Sequence, residues 1–253
     1  MAEPEPKAEL RELLAIADAA AFIASAALKT HRAQWAKVSG EYGREVKIDA
    51  DVRAEALILE ALAREAPFPI ISEEKGKVAG EGAYVWAVDP LDGSVNYLRD
   101  YPHCAVSIAL LRDGEPVLGV VDCFALNERF KGLAGEGAWL NNEPIKVSTI
   151  ADPAKGILQT GVPAAAGAES FAKFETRLKA WRKVRMIGSA ASALAYVAAG
   201  RAEAYRESGS MIWDVAAGCA LVRAAGGEFQ ISPAGLDQPL EVSAGNGLVP
   251  MPD

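Results

Sequence analysis

The chain opens on helical spacing. Leu10, Leu14, Ala17, Ala21 and Leu28 recur at intervals of three, four and seven, which predicts an amphipathic helix over roughly 8–30. A second helix is predicted over 50–65, with Asp49 as its N-cap and Val52, Ala56, Leu59 and Ala63 on one face. The period then shortens. Pro69 to Ser72, Tyr84 to Val88, Ala105 to Leu111, Pro116 to Cys123 and a stretch near 129–139 read as strands. Between them, Arg112-Asp113-Gly114-Glu115 and Leu140-Asn141-Asn142-Glu143 are the clearest turns, so this half is predicted to be a largely antiparallel sheet.

Beyond residue 148 or so, strands and helices alternate. Strands are expected at 156–160, 184–187, 204–207 and 228–231, and helices at 170–181, 189–199 and 215–225. The segment 161–169, rich in Ala, Gly and Pro, reads as a surface loop. The predicted organisation is an α+β half over 1–148 followed by an α/β half over 149–253, with no internal repeat.

Composition narrows the function classes. A chain of 253 residues, 51% hydrophobic, can bury one large core or two small ones. A net charge of −8 without a basic run disfavours a nucleic-acid partner. Cys104, Cys123 and Cys219 are odd in number and widely spaced, so they form neither a metal knuckle nor a disulfide frame, and a reducing cytoplasm is expected. The apolar stretch 13–28 follows Glu3, Glu5 and Glu9 and contains Asp18, which suits a packed helix rather than a signal segment. No stretch reads as long and apolar enough to span a bilayer, so no membrane partner is expected.

The candidate chemistry is acidic. Asp89-Pro90-Leu91-Asp92-Gly93-Ser94 directly follows the apolar run Tyr84 to Val88. Asp-Pro and Asp-Gly are ordinary turn formers, and turn chemistry alone accounts for one of the two pairs. The functional reading uses every member: carboxylates leaving a buried strand are costly unless paired or bound to a cation, and hard oxygen donors suit magnesium. Gly93 and Ser94 would offer amides to a phosphate where a short helix begins. Both readings stand on the local pattern. For Glu73-Glu74, solvated surface charge is the simpler account, although these residues too end an apolar run. Asp214 reads as an N-cap for the helix over 215–225, a role compatible with metal binding. His31 and His103 lack partners at ligand spacing, and neither a nucleophile elbow nor a phosphate-binding glycine loop is present.

Taken together, the motifs resemble the inositol monophosphatase family. Trp86-Ala87-Val88-Asp89-Pro90-Leu91-Asp92-Gly93-Ser94-Val95-Asn96-Tyr97 is similar to its first signature. Trp213-Asp214-Val215-Ala216-Ala217-Gly218, with Ala225-Gly226-Gly227, is similar to its second. Ile71-Ser72-Glu73-Glu74, Asp51 with Glu55, Gly188-Ser189-Ala190 and Ala204-Tyr205-Arg206-Glu207 follow its remaining segments in order. The resemblance implies an α/β/α/β/α layered sandwich, usually a homodimer, and a magnesium-dependent, lithium-sensitive phosphomonoesterase in which a metal-activated water attacks the phosphate directly.

Carried over residue by residue, the resemblance implies two or three Mg2+ ions. Glu73, Asp89 and the Leu91 carbonyl would hold the first; Asp89, Asp92 and Asp214 the second; a third would lean on Glu73. Ser94 with Asp51 would orient and deprotonate the attacking water, alongside Glu73 as a catalytic acid residue. Asp92, Gly93, Ser94, Gly188, Ala190 and Glu207 would contact the substrate. The expected partner is a small phosphate ester, inositol-1-phosphate first, with fructose-1,6-bisphosphate, histidinol phosphate or a nucleotide 3′-phosphate as alternatives. Some bacterial members of the family bind the transcription machinery, so a regulatory role is the alternative of another class. Two departures are visible: Ser94 stands where the family usually has Thr, and Ile48 where it often has Thr.

Overall fold

The N-terminal spacing is realised as α1 (Lys7–Trp35), in a computed structural model that describes residues 7–42, 45–79, 83–162, 167–232 and 235–251. Leu13, Ala17, Ala20, Ala21, Ala24 and Leu28 are buried along one stripe of this helix. Contrary to expectation, α1 is long and apolar enough by composition to cross a bilayer, with mean hydropathy 1.6 over the most apolar 18 residues of Glu9–Trp35. Its buried stripe is mostly alanine, which permits close helix packing in the core. Asp18, the acid within its apolar stretch, pairs with Lys131 at 2.9 Å and Arg129 at 3.4 Å.

A hairpin that the sequence pattern did not reveal follows, β1 (Val38–Tyr42) and β2 (Glu45–Ile48). Then comes α2 (Asp49–Glu65), whose N-cap is Ile48 rather than Asp49. Asp51, in the third helical position, reaches back to accept the Ile48 amide at 2.9 Å, which is half of a capping box. The buried stripe is Ala50, Ala54, Ile58 and Leu62 with Leu59, whereas Val52 is 51% exposed. The expected face was displaced because Asp51 and Glu55 are themselves buried, which a hydrophobic count does not anticipate.

The strands β3 (Ile70–Ser72), β4 (Gly76–Val78), β5 (Tyr84–Asp92), β6 (Ala105–Arg112), β7 (Glu115–Cys123), β8 (Glu128–Leu133), β9 (Gly137–Leu140) and β10 (Glu143–Ile145) form one sheet, with the five-residue α3 (Ser94–Leu98) between β5 and β6. Its order is β10-β9-β8-β7-β6-β5-β3-β4, antiparallel except for the β3–β5 pair. Both expected turns close hairpins through left-handed residues, Asp113 and Gly114 in one, Asn141 and Asn142 in the other.

The remaining elements are β11 (Ile157–Thr160), α4 (Ala168–Ala180), β12 (Lys183–Arg185), α5 (Ala190–Ala198), β13 (Ala204–Ser210), α6 (Ile212–Ala224), β14 (Glu228–Ile231) and β15 (Leu240–Gly245). Their sheet has the order β12-β11-β13-β15-β14, with β11 parallel to both neighbours. The alternating strand β15 was not anticipated. The expected loop 161–169 falls partly on 163–166, outside the described residues. Helices α1 and α2 cover one face of the first sheet, α5 and α6 fill the space between the sheets, and α4 lies against the far edge strand β12. The result is an α/β/α/β/α layered sandwich, as expected.

Candidate active site

Strand alternation decides where the first acid points. Trp86 and Val88 pack into the core beneath α1 and α2, whereas Ala87 faces the core shared with α5 and α6. Asp89 falls in register with Ala87, so it leaves the strand on the α6 side, where it is 3% exposed. Pro90 is tolerated because β3 pairs only as far as Val88, so the following backbone is unpaired on that side. The register with β6 then shifts between Asp89 and Asp92, which re-aims the second acid. Ser107 of β6 donates to the Trp213 carbonyl at 3.2 Å and brings the start of α6 over the same strand end.

Here a cavity of about 560 Å³ opens. Glu73, Asp89, Leu91, Asp92 and Asp214 all line it, and so do Gly93, Ser94, Gly188, Ala190 and Glu207. Asp51 does not line it; buried behind Ser94, it accepts the Ser94 hydroxyl at 2.6 Å. Ser94 Oγ also lies 3.0 Å from the Leu91 carbonyl, and its single proton serves one acceptor at a time. Asp214 is not the N-cap of its helix. That position is Met211, whose amide donates to Asp214 Oδ2 at 2.7 Å. Asp214 and Asp51 thus occupy equivalent third positions on two helices, each held by the amide three residues before it.

Sequence reasoning missed the residues that hold these acids. The amide of Ala191 donates to Asp92 at 2.8 Å, joined by the Ser189 hydroxyl and the Ala190 amide. Ser189 is the N-cap of α5, so the entry to this helix grips Asp92. Asn96 Nδ2 lies within bonding distance of the carbonyls of His103, Ile187 and Gly188 and so ties α3 to the segment preceding α5. Gly93, at φ 86°, leaves no room for a side chain, because a Cβ would stand 2.9 Å from the His103 carbonyl. Tyr205 donates to Glu207, and a Cβ at Gly161 would overlap the Glu207 carboxylate. Arg206, on the opposite face of β13, pairs with Glu241 at 2.6 Å, as strand alternation predicts. The helix-cap signal at Ser189 was available in the sequence; the Asn96 and Tyr205 contacts had none.

The electrostatics are one-sided. Burial pushes Asp51 up to about 6, against the lowering effect of the Ser94 hydrogen bond. Burial, then the charges of Asp51 and Glu74, raise Glu73 to about 7. Asp89 is raised well above the carboxylate range by burial and by Glu73, Asp92 and Asp214. Asp214 is likewise raised, first by burial. Asp92 is raised to about 6 by burial despite its hydroxyl and amide donors. Among the described lining residues Lys47 is the one cationic side chain, and its ammonium sits 2.9 Å from Glu74.

Among the described residues, these acids are not gathered into a ready-made cage of three metal ligands. Asp89, Asp92 and Asp214 are each held by donors of the protein's own, the amides of Leu91, Ala191 and Met211 among them. The donor chemistry nevertheless fits a divalent ion: carboxylates and the Leu91 carbonyl are hard oxygens, and their crowded charge lacks an equal number of cationic side chains.

The chain matches the model of the inositol monophosphatase family over residues 9–248. It is 43% identical over 182 residues to Nus factor SuhB of Xylella fastidiosa, covering 71% of this chain and 66% of that protein, slightly under two thirds of its length. It is 39% identical over 223 residues to an inositol-1-monophosphatase of Synechocystis, covering 85% of this chain and 77% of that protein. The solved inositol monophosphatase of Anabaena shares the fold with a TM-score of 0.84 at 37% identity, covering 94% of this chain and 92% of that one. The chain belongs to the inositol monophosphatase family.

Proposed function

We propose that this member of the inositol monophosphatase family is a magnesium-dependent phosphomonoesterase acting on a small polyol or sugar phosphate, inositol-1-phosphate first. One observation carries the reading: acids distant in sequence line a single cavity beside the Gly93–Ser94 backbone, with too few cations of the protein's own to balance them. Glu73, Asp89 and the Leu91 carbonyl would hold one Mg2+ ion, and Asp89, Asp92 and Asp214 a second. Ionised, Glu73, Asp89, Asp92 and Asp214 carry about −4, which two divalent ions bring to about zero and a third to about +2. When bound, the ions supply Lewis acidity that stabilises charge on the phosphate and on the leaving oxygen.

The chain's own residues do the rest. Ser94, donating to Asp51, presents its oxygen lone pairs to the cavity, where they accept a hydrogen bond from the attacking water and orient it. Asp51, poised at about 6, is the acceptor at the end of this relay. The amides of Gly93 and Ser94, at the start of α3, face the phosphate oxygens. Glu207, oriented by Tyr205, accepts from hydroxyls on the alcohol part of the substrate, beside Gly188 and Ala190.

The 43% identity to a protein named a Nus factor favours a second reading, a regulatory role on the transcription machinery. Retention of the complete acid set supports the enzyme. Phosphate release from inositol-1-phosphate, fructose-1,6-bisphosphate, histidinol phosphate and a nucleotide 3′-phosphate, with and without Mg2+, separates the two. Magnesium-dependent release from inositol-1-phosphate is expected; no release from any of the four refutes the enzymatic reading.

A further inference from the structure

A fully buried carboxylate lies directly behind the metal-facing acids and belongs to none of the roles above. Glu55, on the second turn of α2, is 0% exposed. Its Oε1 accepts the amides of Glu74 and Lys75, at 3.2 and 3.1 Å. Its Oε2 is buried without a hydrogen-bond partner. Burying a carboxylate so incompletely satisfied is costly, and a neutral apolar residue of similar size would avoid that cost. What Glu55 holds is the turn between β3 and β4, which begins at Glu73. The Glu73 amide is itself anchored on the Val88 carbonyl, one residue before Asp89, at 3.3 Å. The turn is therefore fixed on one side to the strand that carries Asp89 and on the other to α2, which carries Asp51. Among the described residues, no side chain other than that of Glu55 accepts from the Glu74 and Lys75 amides.

We infer that Glu55 is a positioning residue that sets the affinity of the divalent-cation site by clamping the Glu73–Lys75 turn. A turn without this clamp would leave Glu73 to find the cation against the repulsion of Asp51 and Glu74, the charges that crowd it. The ordering would then be lost from the binding free energy of the ion. Glu55 touches neither substrate nor cation. This inference rests on the proposed metal-dependent function, and the test separates the two.

Mg2+ binding to the full-length protein is measured by calorimetry without substrate, for wild type, Glu55→Ala, Glu55→Gln and Asp89→Asn. Wild type is expected to bind and Asp89→Asn to lose binding. Glu55→Ala is expected to bind roughly 10- to 100-fold more weakly, the range for removing a group that orients a ligand. Glu55→Gln keeps a carbonyl oxygen for both amides and is expected to restore wild-type affinity. In steady state, Glu55→Ala should raise the Mg2+ concentration for half-maximal rate while leaving kcat at saturating Mg2+ near wild type, a split that general destabilisation would not produce. Should Glu55→Ala fail to fold, Glu55→Asp, one methylene too short for the turn, reads out the same loss. Wild-type Mg2+ affinity in a folded Ala or Asp variant, or a Gln variant as weak as Ala, overturns the clamp and leaves the metal-dependent function intact. A wild type that binds no divalent ion overturns both.

Discussion

Two cavities of nearly equal size carry opposite electrostatic designs. The one beside α1, about 550 Å³, is lined by Asp18, Asp122, Lys29, Arg129 and Lys131. There the charges are matched: Arg129 meets Asp122 at 2.8 Å and Lys131 meets Asp18 at 2.9 Å. The one at the end of β5, about 560 Å³, gathers Glu73, Asp89, Asp92, Glu207 and Asp214 around a single lysine. A matched network is already satisfied and ties an N-terminal helix to a sheet. A crowd of one sign keeps its acids protonated, or binds cations, or weakens the fold. The contrast teaches that imbalance, rather than the number of charged residues, distinguishes the cavity built to take something up.

The comparison breaks most visibly at its central acid. Asp89→Asn is expected to lower kcat on the order of 10³-fold, the several kcal/mol that cation stabilisation supplies, while the variant stays folded. Phosphate release at saturating Mg2+ checks it, and a rate near wild type removes Asp89 from the site. In the matched cavity the outcome should invert. Asp122→Asn removes one of the two carboxylates that meet half-buried Arg129, leaving Asp18 at 3.4 Å, and should cost about 1 kcal/mol of stability, with kcat unchanged. Denaturant unfolding with parallel assays reads both quantities.

Loading and pH sharpen the same contrast. Asp51, Glu73 and Asp92 have native values of about 6 to 7, above the unfolded carboxylate range near 4. Between those limits the native state holds more protons than the unfolded chain, so this group of acids loses stability as pH rises towards 7 in the metal-free protein. A divalent ion competes with those protons. The Tm gain on adding Mg2+ should therefore grow from pH 5 to pH 8, reaching roughly 5–10 °C at a hundredfold excess over Kd. A gain that does not depend on pH would show that these acids are not the ones bound. Smallest is the effect at the rim: Glu207→Ala should change the ratio of rates between inositol-1-phosphate and an aryl phosphate by about tenfold, the value of one lost charged hydrogen bond. Equal losses on both substrates would count against a role in selectivity.

Much of the site was legible because its acids sit at element boundaries. Asp89 and Asp92 come directly after the apolar run Tyr84 to Val88, and Glu73 after another, so a change of period marks each. Asp214 was found for a partly wrong reason: it reads as an N-cap and is the third residue of its helix, since Ile212 and Trp213 already have helical geometry. The contacts of the supporting residues were not legible, although Ser189 carried a helix-cap signal. Ser189 grips an acid 97 positions away, and Glu55 a turn 19 positions away, contacts that no local period encodes. The same limit applied to the fold. The meander and the alternating half were visible, but the face of α2 was misplaced because its buried stripe includes Asp51 and Glu55. The hairpin β1–β2 carries too few apolar positions to announce itself.

Divalent cations are expected to settle at the end of β5. Anomalous scattering from crystals soaked in Mn2+, a stand-in for Mg2+, reports that position directly. The account predicts at least two peaks inside the β5 cavity, each within coordination distance of Asp89, with Glu73 and the Leu91 carbonyl on one and Asp92 and Asp214 on the other. Peaks confined to the outer surface, or to the matched cavity beside α1, would contradict it.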